Sequence, residues 1–210
     1  MEELPAHDKR YEKADEFAAL MNKLFLSWDS HEFLHHREDK KLINPSNIQP
    51  VHHDGPYFKV NGPSTTPKSP QGKPVAMQAG ASKQGIALAA KYADAVYSVS
   101  WNLKQAKKFR EKLDEQIKQS EDSNRHIKVF PGLVTYVGHT HEEALAKKAA
   151  LDELLPLETA LKQLSFFIQQ DSSHWEIDKE VPQLPPVEEF TGPVGRYETI
   201  LEIIHDTQPT

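Results

Sequence analysis

The 210-residue sequence contains no cysteine, so it has no disulfide framework, no thiolate metal site and no cysteine nucleophile. It also lacks an excess of basic charge: 25 Lys and Arg stand against 31 Asp and Glu, a formal net charge of -6. A nucleic-acid binder needs a basic footprint, so nucleic acid is not the expected partner. No stretch approaches the ~18 consecutive apolar residues of a membrane span. The opening MEELPAHDKRYEKADEF has no apolar run of the kind a signal peptide carries. These absences predict a soluble, globular, cytoplasmic protein with no membrane partner. Two phosphate-loop signatures are missing as well. No G-x-G-x-x-G occurs, and although Gly80 and Gly85 have the glycine spacing of G-x-x-x-x-G-K-[ST], Ile86 and Ala87 follow in place of the lysine and hydroxyl.

What is present is unevenly distributed. Seven of the fifteen prolines fall between Pro45 and Pro74 and four between Pro182 and Pro193, and proline fixes φ and withholds a donor, so both windows are expected to be irregular. Ahead of the first window, Tyr11, Ala14, Phe17, Ala18, Met21, Leu24 and Phe25 recur at helical steps, which predicts an amphipathic helix over 8–28, ending near Trp28 and Asp29. After it comes a regular alternation. Pro74 to Ala79 reads as a strand and Ser82 to Tyr92 as a helix; Ala95 to Ser100 reads as a second strand, with Asn102 capping a helix that carries Ala106, Phe109, Leu113 and Ile117. Ile127 to Val137 reads as a third strand, and Thr140-His-Glu-Glu143 has capping-box spacing ahead of Ala144, Leu145, Leu151 and Leu154.

Three strand-helix units with nearly continuous apolar strands indicate the α/β class. The repeated unit fits a (β/α)8 barrel or an open doubly wound sheet; a complete barrel needs eight units over ~250 residues, so three units give at most part of one. The expected organisation is a single partial domain over 1–210: a leading helix (1–30), an irregular or hairpin insertion (31–74), three βα units (75–170), then a Pro-rich insertion and a terminal helix (171–210).

The most informative local feature is Gln78-Ala-Gly-Ala-Ser-Lys-Gln-Gly85, where small residues and one hydroxyl stand at a strand-to-helix turn. Gly80 and Ala81 allow close approach of backbone, the first helical amides lack partners, and the Ser82 hydroxyl adds a donor, so a phosphate fits there. A plain N-cap serine explains the same residues. His7 and Tyr11, four apart at the start of the first helix, can both donate to an anion, or can simply be a solvated helix start with Tyr11 half buried. Histidines cluster at His31, His35, His36, His52 and His53, and His31-Glu32-Phe33-Leu34-His35 contains His-Glu-x-x-His. The segment is charged, follows a helix end and offers no third ligand, so no metal site is expected. Glu12, Glu16, Lys104, Lys107 and Lys108 read as solvated helix faces.

Three stretches, HDKRYEKADEF at 7–17, His53-Asp54-Gly55-Pro56-Tyr57-Phe58-Lys59-Val60-Asn61-Gly62-Pro63, and SPQGKPVAMQAGASKQG at 69–85, resemble the flavin-dependent monooxygenases of the bacterial-luciferase-like superfamily. The branch resembled is the one with nitrilotriacetate monooxygenase, dibenzothiophene-sulfone monooxygenase and pristinamycin synthase large subunits, and the likeness runs from about 4 to 204. The resemblance implies a (β/α)8 barrel and reduced FMN supplied by a separate NAD(P)H-dependent flavin reductase. It also implies O2 as co-substrate and oxygenation of a small organic substrate through a peroxyflavin. By motif match it places His7 and Tyr11 at the FMN and Ser82 at its phosphate, with Gly80 and Ala81 in the same turn; it names no catalytic acid or base. It further implies a fragment, with Met1 standing after the first four barrel strands, so that a complementary half-barrel chain or a homo-oligomer is a further expected partner. The alternative is a non-catalytic remnant or interaction module that keeps the α/β fragment but not the reaction.

Overall fold

The computed structural model describes residues 5–29, 33–36, 38, 40–176, 179–192 and 194–207. The chain forms two compact units, one of residues 1–97 with 109–130 and one of residues 98–108 with 131–210. Among the described residues no helix is long and apolar enough to cross a membrane.

The first unit opens with helix α1 (His7–Phe25). The apolar period continues toward Trp28, but the helix stops at Phe25 because the following residues find other partners. Ser27 Oγ donates to Leu24 O at 2.7 Å, Trp28 bridges to Ile48, and Asp29 N donates to Asn47 O at 2.9 Å. The chain is thus drawn into an extended path. Two antiparallel hairpins follow, β1 (Phe33–His36) with β2 (Lys41–Ile43), and β3 (Val51–Asp54) with β4 (Lys59–Gly62). The second is in full register from Val51↔Gly62 to Asp54↔Lys59 and is closed by Gly55 N donating to Phe58 O at 2.9 Å. His35 and His36 therefore lie in a strand, not a helix; His31 and Glu32 lie outside the described residues.

The alternation then appears: β5 (Met77–Ala79), α2 (Lys83–Tyr92), β6 (Ala95–Val99), α3 (Leu103–Gln119) and β7 (Lys128–Gly132). The sheet order is β5-β6-β7, and β5 and β6 are parallel, with Met77↔Ala95, Gln78↔Val96 and Ala79↔Tyr97 paired. The third strand is shorter than its β-branched run predicts. Pro131 withholds a ladder donor and Gly132 adds no side chain, so pairing ends there. The core of this unit is one cluster, Ile86, Ala89, Ala90, Ala93, Val96, Phe109, Leu113, Ile117 and Ile127, with Leu113 and Val96 wholly buried. Alanines at 89, 90 and 93 let α2 approach the sheet closely, which leaves room for the larger side chains of α3. The C-terminal carbonyls of α2 are not left open: the Arg125 guanidinium donates to Ala93 O at 2.7 Å, to Ala90 O at 3.4 Å and to Lys91 O. Asp94 ties the strand starts together, its carboxylate accepting from Ala76 N at 2.9 Å and its carbonyl from Lys128 N at 3.1 Å.

In the second unit Asn102 caps α3, its Oδ1 accepting from Gln105 N at 2.9 Å. Thr140 caps α4 (His141–Asp152) by accepting from Glu143 N at 3.2 Å. The reciprocal arm of the box is displaced by one residue, since Glu143 Oε2 accepts from His139 N at 2.7 Å. Pro156 N-caps a separate helix, α5 (Leu157–Ile168), and α6 (Val194–Thr207) ends the described chain. Tyr197 of α6 is fully buried, stacked on Phe190 at 4.0 Å between ring centroids, with its hydroxyl donating to Pro185 O at 2.7 Å. Lys104 and Lys108 lie on an exposed face of α3, as expected, and pair there with Asp206 and Glu202.

Candidate functional site

The first turns of α1 and α2 meet. Ser82 sits in extended backbone (φ -65°, ψ 157°) as the N-cap of α2, and its Oγ accepts from Gly85 N at 3.2 Å. The amides of Lys83 and Gln84 have no carbonyl partner inside the helix, so two donors remain at its positive end. Before the cap, Gly80 has φ +155°, a conformation glycine enters freely and L side chains rarely adopt. Tyr11 brings its hydroxyl to this turn, 3.4 Å from Ser82 Oγ, and the His7 ring lies 4.8 Å from the Tyr11 ring between centroids. A Cβ on Gly80 would lie 3.6 Å from Tyr11 Oη, and one on the buried Gly85 only 3.0 Å from it, so the phenol occupies space that a larger residue at 85 would claim.

His7, Tyr11, Gly80 and Ser82 thus converge, and Ala81 lies exposed between Gly80 and Ser82. Further contacts complete the arrangement. Gln84 Nε2 donates to Asp8 Oδ1 at 2.8 Å, Gly85 makes room for Tyr11, and further along Lys91 Nζ pairs with Asp15 at 2.8 Å. The two polar pairs join residues 76 positions apart in both cases. α1 and α2 therefore run parallel and in register, with both N-termini at the same end. The constant offset is visible in sequence only when the two helices are already known to be neighbours.

The orientation of α1 is fixed from its other side. Glu16, expected on a solvated face, is 11% exposed, because the β3–β4 hairpin closes over it. Its Oε1 lies 2.8 Å from His53 Nε2 and accepts from Phe58 N at 2.9 Å, while Oε2 accepts from Tyr57 N at 3.1 Å. The Tyr57 hydroxyl donates to Glu12 at 2.8 Å. Burial pushes the Glu16 carboxyl up, but the bonds from His53 and from the Phe58 and Tyr57 amides outweigh it and hold the group below its ordinary value. Depression of a carboxyl means that its stabilising effect is complete above the unfolded value, about 4.3, and is lost as pH falls through the folded value. The amides of Tyr57 and Phe58 should therefore keep constant exchange protection above about pH 5 and lose it only as the pH falls below the ordinary carboxyl value and through the depressed one. Glu16→Gln should abolish that pH dependence, and protection that does not change with acid would contradict the assignment.

His53 is thus engaged with a carboxylate, while His52, its neighbour in β3, is exposed. Among the described residues no group of three or more His, Cys, Asp or Glu side chains is placed to hold a metal ion.

The sequence profile of the luciferase-like monooxygenase family matches residues 2–207. The chain is 34% identical over 201 residues to nitrilotriacetate monooxygenase component A of Aminobacter aminovorans, covering 94% of this chain and 43% of that protein. It is 31% identical over 179 residues to N-acetyl-S-(2-succino)cysteine monooxygenase of Bacillus subtilis (strain 168), covering 85% of this chain and 41% of that protein. Its fold superposes on the crystal structure of long-chain alkane monooxygenase with a TM-score of 0.74 at 29% identity, over 98% of this chain and 44% of the other. The chain spans less than half the length of each of these proteins. From a mixed α/β fold with a parallel strand pair, and a family match along nearly its whole length, the chain belongs to the luciferase-like monooxygenases.

Proposed function

We propose that this chain is the FMN-phosphate-holding part of a two-component, reduced-FMN-dependent monooxygenase, acting with O2 on a small organic substrate. The observation that carries the reading is the meeting of Tyr11 with the Ser82 cap where two parallel helices start. Ser82 Oγ and the amides of Lys83 and Gln84 offer donors to a phosphoryl group, and two helix N-termini favour its charge. Tyr11 and His7 add side-chain donors, and Gly80 and Ala81 keep the turn low enough for the phosphate to reach the amides. The residues present therefore fit the FMN phosphate. When bound, FMN supplies the reduction and activation of O2; the chain's own residues bind and orient the nucleotide. The three-stranded sheet is read as part of a (β/α)8 barrel over 1–210, in the cytoplasm, with an NAD(P)H-dependent flavin reductase as the source of reduced flavin.

Titration with FMN and with riboflavin, which lacks the phosphate, tests the assignment. Ser82→Ala should weaken FMN binding by about 1–2 kcal/mol, roughly 5- to 30-fold, through loss of one charge-assisted hydrogen bond. Riboflavin affinity should be unchanged. An FMN dissociation constant indifferent to Ser82→Ala removes the phosphate role. A second reading, a non-catalytic remnant or interaction module, is favoured by one observation: Met77, Tyr97 and Phe130 on the sheet are each about half exposed, so that face is open. Peroxide-free turnover of a substrate with NADH and a flavin reductase would eliminate it.

A further inference from the structure

Helix α1 meets its neighbours through two faces. Asp8, Tyr11 and Asp15 reach α2 at Gln84, Ser82 and Lys91, whereas Glu12 and Glu16 reach the β3–β4 hairpin at His53, Tyr57 and Phe58. Glu16 follows Tyr11 by five residues, which sets the two about 140° apart around the helix axis. A rotation of α1 that frees one of them therefore swings the other.

Tyr11 tolerates little rotation. Its hydroxyl lies 3.4 Å from Ser82 Oγ and fills the space beside Gly85, 3.0 Å from where a Cβ would stand. At a radius of about 6 Å, a turn of about 15° carries the hydroxyl about 1.5 Å, which breaks the contact. The polar bonds to α2 resist such a turn weakly. The Gln84–Asp8 bond is exposed, and Lys91 and Asp15 are 45% and 43% exposed, so each contributes little. The hairpin side is drier. Glu16 and His53 are only 11% and 14% exposed, and the one carboxylate binds His53 Nε2 and both the Phe58 and Tyr57 amides. Bonds to a charged acceptor are the strong ones, and their loss leaves buried donors unpaired. The Phe58 ring adds contacts with Phe17 at 5.8 Å and with Lys13 Nζ at 5.7 Å. The hairpin junction, not the α2 contacts, sets the rotation of α1.

We propose that Glu16 is a positioning residue for the phosphate cradle: by anchoring α1 to the hairpin it holds the Tyr11 hydroxyl at Ser82, so a junction on the far side of the helix governs how tightly a phosphorylated ligand is gripped. The consequence for FMN rests on the phosphate reading above; the placement of Tyr11 does not.

Glu16 anchors only while ionised. Around it stand His53 of β3, Tyr57 of the turn, and Lys9, Glu12 and Lys13 of α1 itself, while the Asp54–Lys59 pair of the hairpin is solvated. Because its carboxyl is held below the ordinary value, the anchor is complete above about pH 4.3 and is released as pH falls through the depressed value. Histidines and phosphomonoesters ordinarily change charge near pH 6–7, so the acid limb is read below about pH 5.

The test measures the affinity of the 210-residue chain for FMN and for riboflavin, and the NMR ring resonance of Tyr11, identified by its loss in Tyr11→Phe. Glu16→Gln keeps the side-chain size but replaces one acceptor by a donor. It should lower the preference for FMN over riboflavin by about tenfold and shift the Tyr11 resonance in the flavin-free chain. Without substitution, both readouts should change in the same direction below about pH 5; in Glu16→Gln that acid limb should be absent, and in Glu12→Gln it should remain. Leu113→Ala weakens the same unit at its core and should move neither readout, which separates positioning from general loss of stability. A Tyr11 resonance indifferent to Glu16→Gln, an FMN preference that survives it, or an equal loss of preference in Leu113→Ala would each overturn the proposal. An unsubstituted chain that binds FMN no more tightly than riboflavin overturns the phosphate reading alone, and the Tyr11 resonance then decides whether Glu16 places the phenol.

Discussion

Leu113→Ala is expected to lower the unfolding free energy of the first unit by about 2–5 kcal/mol. Leu113 is wholly buried at the centre of the cluster formed by Ile86, Ala89, Ala90, Val96, Phe109, Ile117 and Ile127. Its neighbours cannot easily collapse onto the vacated space. The alanines of α2 have no side-chain reach, and β6 is held in register with β5 from Met77↔Ala95 to Ala79↔Tyr97. The lost transfer free energy is therefore joined by that of a cavity left unfilled. Leu145→Ala supplies the contrast. Leu145 is about half exposed on α4, and its truncation should change stability by less than about 0.5 kcal/mol. Urea titration of the two variants checks both values, and equal losses would mean that the core has been misassigned.

Gly55→Ala is expected to cost about 1–3 kcal/mol, although it adds a single methyl group near the surface. A Cβ at 55 would lie 2.0 Å from Glu16 Oε1 and 2.7 Å from His53 Nε2. The carboxylate must move, yet it is the acceptor for His53, Tyr57 N and Phe58 N together, so the hairpin and α1 lose their junction at once. The mechanism predicts strong non-additivity. In a Glu16→Ala background the nearest obstruction is gone and the remaining one, His53 Nε2, is a ring that has lost its carboxylate partner and can turn aside, so Gly55→Ala should then cost much less. Full additivity in the double-mutant cycle would show that the glycine is required for its backbone alone.

Helix starts were legible because caps are local: Ser82, Asn102 and Thr140 each precede their helix at the spacing their hydrogen bond requires. The core faces of α2 and α3 were legible from period alone. Glu16 was not, because its burial comes from a hairpin some forty residues away, and a carboxylate on a helix looks solvated until the covering element is known. The end of α1 failed for a related reason. Apolar period ran on to Trp28, but Ser27 and Trp28 had partners near Ile48 and Ser64 that no local pattern records. Of the site, the Gly80–Ser82 turn was readable as a possible anion cradle. Its association with His7 and Tyr11 rested on resemblance, since nothing in the spacing of residues 7–11 points to residue 82.

The Tyr11–Ser82 contact has a thermodynamic corollary. These residues are 71 positions apart, and most of the intervening chain is hairpin and Pro-rich connection. An anion gripped by both closes that span as a reversible cross-link, absent from the unfolded ensemble, so saturation with a phosphorylated ligand raises the melting temperature in proportion to the logarithm of its concentration. A single backbone nick between β4 and β5 would leave every donor chemically intact and yet weaken the grip, because the two helices would then have to find one another from opposite sides of a cut chain.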